Sequence, residues 1–134
     1  MQNEVNKTIE TLKNGGTIIY PTDTIWGLGC DASNEEAVNK LYDVKKRDIN
    51  KSFILLLDDD RNLKRYVREV PEAAWDILDY SDKPTTIVYP NAINLPKSLV
   101  ADDGSIAIRI VKDDFCKQLI RAIKKPLVST SANL

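Results

Sequence analysis

The sequence predicts an α/β domain: a twisted, mixed sheet with flanking helices. Three observations predict it. Short aliphatic or β-branched runs alternate with stretches of helical period along the whole chain. Ser52-Phe53-Ile54-Leu55-Leu56-Leu57 is an apolar run bounded by charge, as a strand covered on both faces requires. The 134 residues form one domain, 1–134, large enough to bury about two-thirds of its unfolded surface.

The elements follow in order. Val5, Ile9 and Leu12 share one face of a first helix, which Asn14-Gly15-Gly16 stops. Thr17–Tyr20 reads as a short buried strand whose pairing should end at Pro21, because proline removes a donor and fixes φ. Ser33-Asn34-Glu35-Glu36 reads as a capping box with Ser33 as the cap and Glu36 reaching back. The helix it starts buries Ala37, Val38, Leu41, Tyr42 and Val44 and ends in Lys45, Lys46 and Arg47, which suit the negative end of the helix dipole. Asp58-Asp59-Asp60 is a solvated turn or helix cap, since adjacent carboxylates rarely converge on a cation. Leu63, Tyr66 and Val67 mark a short helix. Pro71 opens another, with Ala74, Trp75, Ile77 and Leu78 inward. Thr85–Tyr89 is a strand closed by Pro90, and Ser105–Val111 is another. Asp113 caps a helix that buries Phe115, Leu119, Ile120 and Ile123, and Leu127-Val128 begin a last strand.

Composition excludes several chemistries. The chain has no histidine, so a Ser-His-Asp or Cys-His centre and a His-ligated metal are ruled out within these residues. Cys30 and Cys116 fit no zinc spacing and read as buried small residues in a reducing compartment, so a cytoplasmic location is expected. Net charge is −1, and the pI of about 5.5 lacks the footprint of a strongly basic nucleic-acid binder. No apolar run approaches the ~20 residues of a membrane span, and no secretory leader is expected.

Four stretches carry candidate chemistry. Tyr20-Pro21-Thr22-Asp23-Thr24-Ile25-Trp26-Gly27-Leu28-Gly29 places small hydroxyls past a strand end, followed by glycines that let backbone approach a ligand. The plain alternative is a strand–turn satisfying its own backbone. Lys45-Lys46-Arg47-Asp48-Ile49-Asn50-Lys51 holds four cations in seven residues between a helix end and a buried strand. It is either a solvated run or a polyphosphate clamp of lysine point charges and a planar arginine fork. Arg109 lies among aliphatics in Ile106-Ala107-Ile108-Arg109-Ile110 and calls for a salt bridge or a ligand carboxylate. Ser129-Thr130-Ser131-Ala132-Asn133 ends a strand, where ligand crevices of open α/β sheets lie, and sits so near the last residue that a longer protein is suspected. Gly27-Leu28-Gly29-Cys30-Asp31-Ala32 also matches a dinucleotide fingerprint, in poor context: Pro21 and polar residues separate it from its strand.

Together these stretches resemble the YrdC-type threonylcarbamoyl-AMP synthases. Pro21–Gly29 is similar to that family's P-T-[DE]-[TS]-x-[YFW]-G-[LV]-x opening, and Lys45 through Lys51 to its K-x-R segment. Gly104–Arg109 resembles its [DG]-[ST]-x-[AG]-[VI]-R strand, and Ser129–Asn133 its S-T-S-A-N signature. The resemblance implies an open sheet around a concave cleft. It also implies a reaction in which L-threonine, bicarbonate and ATP give threonylcarbamoyl-adenylate and pyrophosphate. A transferase complex would then pass the threonylcarbamoyl group to tRNA, so that contact with tRNA is indirect. By matching positions, Lys45 and Arg47 would be catalytic, and Lys45, Arg47, Lys51, Ser105, Ser131 and Asn133 would hold ATP. Thr24, Arg109 and Ser129 would hold threonine, and Mg2+ would arrive on the ATP with no ligand from the protein. The chain departs from the pattern at Asp82-Lys83-Pro84-Thr85-Thr86, where many relatives carry Pro-Gly-Pro-x-Thr, and at Asp48, where proline is common. Relatives continue past S-T-S-A-N, so the C-terminal part of the family domain is expected to be missing here.

Two alternatives belong beside this reading. One is a module that binds double-stranded RNA or tRNA in the same cleft without catalysis, and its binding should be strongly salt-dependent. The other is a carbamoyl-adenylate domain of the hydrogenase-maturation type, which has the same fold.

Overall fold

The computed structural model describes residues 2–21, 26–45 and 53–131. Helix α1, Gln2–Lys13, turns Val5 and Leu12 inward. It stops where Gly15 takes φ +80° and its N–H, with that of Gly16, returns to the helix's last carbonyls, a conformation that glycine adopts without a Cβ penalty. Strand β1, Ile18–Pro21, is followed by β2, Trp26–Asp31, and helix α2, Glu35–Lys45. Strand β3, Ile54–Leu57, leads through a 3-10 turn, Asp60–Arg65, to helix α3, Glu72–Tyr80. Strands β4, Thr86–Tyr89, and β5, Ile106–Ile110, precede helix α4, Asp114–Ile123, and strand β6, Leu127–Ser131.

The six strands form one mixed sheet in the order β1-β2-β6-β3-β5-β4. Only β3 and β5 run parallel; every other neighbouring pair is antiparallel. Alternation along the strands sends side chains to two separate cores. On one face Cys30, Val128, Leu55, Leu57, Ile108 and Tyr89 pack with Ala37, Val38 and Leu41 of α2 and Ala74 of α3. On the other, Ile18, Tyr20, Leu127 and Leu56 pack with Val5 and Leu12 of α1 and Cys116, Leu119, Ile120 and Ile123 of α4. The apolar run 53–57 is thus the central strand that its composition predicts.

Several expectations are corrected. β1 lies at the sheet edge with Ile19 exposed, so it is buried on one face only. Pairing runs on to Pro21, which stands opposite Trp26, since an edge strand tolerates a missing donor. Ser129–Ser131 ends β6 as expected, whereas Gly27-Leu28-Gly29 is no ligand loop but the interior of β2. That removes the dinucleotide fingerprint, which needs a strand-to-helix turn. Asn34, not Ser33, caps α2: its Oδ1 accepts from Ala37 N–H at 3.0 Å, while the Ser33 hydroxyl donates to Asp31 Oδ1 at 2.7 Å. Tyr42 and Ile77 are exposed despite their helical period, though the Tyr42 ring lies 5.8 Å from that of Phe53. The Asp113 cap is as expected, with a bond from Cys116 N–H at 2.9 Å, and of the two alternatives for Asp58-Asp59-Asp60 the cap is realised, at Asp59, which accepts from Arg61 N–H at 2.9 Å.

Candidate functional site

Strand direction brings the described flanks of the four stretches to one end of the sheet. β1 ends there at Pro21 and β2 starts there at Trp26, on either side of Thr24. β3 and β5 start there, since Ile54 is in register with Ala107, and β6 ends there, Ile54 pairing with Ser129. α2 runs back to this end, where Tyr42, one turn before Lys45, meets Phe53 just ahead of β3. Thr24, Arg47, Lys51 and Asn133 lie outside the described residues, as do the side chains of Lys45 and Ser131. Ser105, Arg109 and Ser129 are described in full.

Ser129 and Arg109 share the sheet face that carries α1 and α4 elsewhere. Ser129 is 8% exposed and sits between Gly29 of β2 and Ile54 of β3. Ala107 is next beyond Ile54, and Arg109 is two residues further along β5. Two strand spacings and two residues separate the Ser129 and Arg109 backbones by about 10 Å across and about 7 Å along the sheet, a gap the length of a small amino acid plus an arginine side chain. Arg109 Nε donates to Thr86 Oγ1 at 2.9 Å, across the β4–β5 register pair. Among the described residues the ion pairs are Arg61–Asp59 at 2.9 Å and Arg121–Asp58 at 3.2 Å. The half-buried Arg109 has no carboxylate among them. Thr86 fixes one edge of the guanidinium, and the fork of remaining N–H groups suits a ligand carboxylate.

Ser105 lies at the start of β5, beside a cavity of about 320 Å³ lined by Tyr42, Phe53, Val88, Leu99 and Ala107. Its walls are apolar and aromatic, as a flat heterocycle requires. The Ser105 N–H donates to Asp103 Oδ1 at 3.0 Å, and the nearby Ser105 hydroxyl and this N–H hold that carboxyl below its usual range. A second depression of about 280 Å³, lined by Leu57, Asp58, Arg65, Arg121 and Lys125, opens at the opposite end and holds none of the sequence candidates. That end carries the carboxyl termini of the parallel strands β3 and β5, where ligands of open α/β sheets usually bind. Here the described flanks of the motif stretches meet at the other end, because in a mixed sheet each end holds the carboxyl termini of some strands, in this case β1, β4 and β6.

With this geometry in place, comparisons with known proteins are decisive. A family model for the Sua5/YciO/YrdC domain, described as "Telomere recombination", matches residues 10–134. The chain belongs to this family. It is 38% identical over 136 residues to the threonylcarbamoyl-AMP synthase of Pseudoalteromonas translucida, covering 99% of this chain and 73% of that protein. It is 34% identical over 130 residues to the enzyme of the same name from Coxiella burnetii, covering 96% of this chain and 70% of that one. In fold it is similar to P. abyssi Sua5 complexed with L-threonine, with a TM-score of 0.87 and 24% identity over 99% of this chain and 39% of that longer one.

Sequence reasoning found the family's motif residues and missed their neighbours. Thr86 reads as part of the Thr85–Tyr89 strand and of the departing 82–86 segment, with no role at the site. Its place opposite Arg109 comes from β4–β5 register, which no local pattern encodes. Tyr42 and Phe53 were read as core; their ring contact across the 45–53 gap is tertiary. Tyr20 reads as the last residue of a strand; the glycines beside its ring, Gly27 and Gly29, lie seven and nine residues further on and come alongside only through β1–β2 register.

Proposed function

We propose that the chain is a threonylcarbamoyl-AMP synthase: L-threonine and bicarbonate condense to a carbamate with loss of water, and the carbamate and ATP give threonylcarbamoyl-AMP and pyrophosphate. The observation that carries this is the 38% identity to a protein of that name over 99% of the chain. The geometry supports it, since the flanks of all four motif stretches arrive at one sheet end with Arg109 on an adjoining face.

The chemistry needs positioning and charge neutralisation rather than a covalent nucleophile, so a chain without histidine can perform it. The carbamate of threonine attacks the α-phosphorus of ATP; the new P–O bond forms as the bond to pyrophosphate breaks, and the leaving charge stays on pyrophosphate. Arg109, steadied by Thr86, pairs with the threonine carboxylate, with Ser129 and Thr24 beside the amino acid. Lys45, Arg47 and Lys51 offset the charge of the triphosphate, and Lys45 and Arg47 stabilise it as pyrophosphate leaves. Ser105, Ser131 and Asn133 bind the nucleotide, and Mg2+ enters as part of the ATP substrate. The mixed anhydride is labile, so a transferase complex must consume it for tRNA modification, with tRNA reached indirectly, and ATP and tRNA place the work in the cytoplasm. No described helix is long and apolar enough to cross a membrane.

The test is pyrophosphate release by the intact protein with each substrate omitted in turn. Release should require both L-threonine and bicarbonate, and Arg109→Ala should lower kcat/KM for threonine by about a hundredfold, the loss of a charge-assisted fork. Release that ignores threonine would refute the assignment.

A further inference from the structure

We propose that Tyr20 is a positioning residue whose buried phenol holds the Ser129 hydroxyl toward bound L-threonine. The inference rests on the synthase reading above and concerns a residue to which the family resemblance gave no role. Tyr20 is 0% exposed on β1 and points to the same face as Ser129. Its ring crosses β2 where that strand has no side chain: a Cβ at Gly29 would lie 2.6 Å from Tyr20 Cε1 and 3.1 Å from its hydroxyl oxygen. The register partner of Gly29 on the far side is Ser129. The phenol therefore spans a bare strand to reach the residue expected beside threonine.

The hydroxyl is in an unusual state. Ser129 stands near enough to interact with it, yet among the described residues the phenol oxygen has no partner in hydrogen-bonding geometry. Buried polar atoms are nearly always paired, and one left unpaired destabilises the fold. If packing alone were required, phenylalanine would fill the same space without that penalty. Nearby, Asp113 caps α4 through Oδ2, which accepts from Cys116 N–H at 2.9 Å, while its Oδ1 is also buried and unpaired. Burial raises the phenol's pKa, the nearby Ser129 hydroxyl offsets part of that rise, and Cys116 and Asp113 add smaller increases, so it remains a neutral donor across the physiological range. A small rotation of Ser129 on binding threonine would complete the bond, and the Ser129 oxygen would then be fixed by a donor that cannot ionise. The orphaned donor is thereby explained as a group whose partner is completed in the liganded state.

Tyr20→Phe removes the oxygen and keeps the packing. L-threonine binding by the intact protein is measured by calorimetry in the presence of ATP for wild type, Tyr20→Phe, Ser129→Ala and the double variant, alongside thermal melts and steady-state kinetics. Tyr20→Phe should melt higher than wild type, bind threonine about threefold to tenfold more weakly, and raise KM for threonine more than it lowers kcat. In the Ser129→Ala background it should have no further effect on binding. Unchanged threonine affinity, an equal loss in both backgrounds, or a lower melting temperature would overturn the proposal. A wild type that turns over but loses nothing in Tyr20→Phe refutes Tyr20 alone; a wild type that binds no threonine refutes the synthase reading and this inference with it.

Discussion

Gly29 shows how much one missing side chain can decide. In sequence it sits in a glycine-bearing stretch that invites a ligand; in the fold its emptiness is filled by the Tyr20 ring on one side and the Val128 carbonyl on the other. A methyl group there would lie 2.6 Å from Tyr20 Cε1 and 2.8 Å from Val128 O, and neither a fully buried ring nor a ladder carbonyl can yield. Gly29→Ala should therefore destabilise the protein by about 1–3 kcal/mol, the range for overpacking, read as a drop in the urea midpoint at unchanged m-value. Gly104 gives the contrast: its φ is +86° but nothing lies within 4 Å of a Cβ, so only the backbone conformation opposes substitution there.

At the scale of elements, helix ends and strand pairing carry the site. α2 delivers Lys45 to the working end of the sheet, and its start depends on Asn34 Oδ1 accepting from Ala37 N–H. Asn34→Ala should cost about 1 kcal/mol in denaturant unfolding, whereas Ser33→Ala, which loses only a hydroxyl bonded to Asp31, should stay within about 0.5 kcal/mol of wild type. Equal losses would restore Ser33 as the cap. The pattern Ser-x-x-Glu did locate the helix start to within one residue; what it missed is that Asp31, at the end of β2, takes the Ser33 hydroxyl first. In the same way the β1–β2 hairpin was hidden because Pro21 and the glycines read as breakers, and breakers are tolerated at an edge strand and beneath a covering ring.

For the whole molecule, the two cores enclose groups whose neutral forms the fold requires. Burial pushes the Cys30 thiol from its usual 9.0 up to about 12, and raises the Tyr20 phenol above its usual value. Below pH 9 both groups are protonated in folded and unfolded chains alike, so their contribution is fully present. As pH rises from 9 towards 12, the unfolded chain ionises first and stability is lost. Melting temperatures taken at pH 7, 9 and 10.5 should fall on the alkaline side, and the fall should be shallower in Cys30→Ala; an identical slope in that variant would show that Cys30 does not titrate on unfolding. The thiol should also resist alkylation in the folded state at neutral pH, since it is neither exposed nor ionised.

The sequence by itself determined the α/β class, the order of the elements apart from β2, the central strand, the Asp113 cap, the family and, through it, the reaction proposed. These are legible because period, turn chemistry and short motifs are local, and a motif of four to nine residues is carried by adjacent positions whatever the rest of the chain does. Only the tertiary structure decided that β2 is a strand, that Thr86 braces Arg109, that Tyr20 reaches across Gly29 towards Ser129, and that the described flanks of the motif stretches stand at the starting ends of β3 and β5. Each of these depends on the register between strands distant in sequence, such as Gly29 with Ser129 and Thr86 with Arg109. A strand's own residues fix which of them share a face but not which strand will lie alongside; that choice is made by the packing of both sheet faces at once.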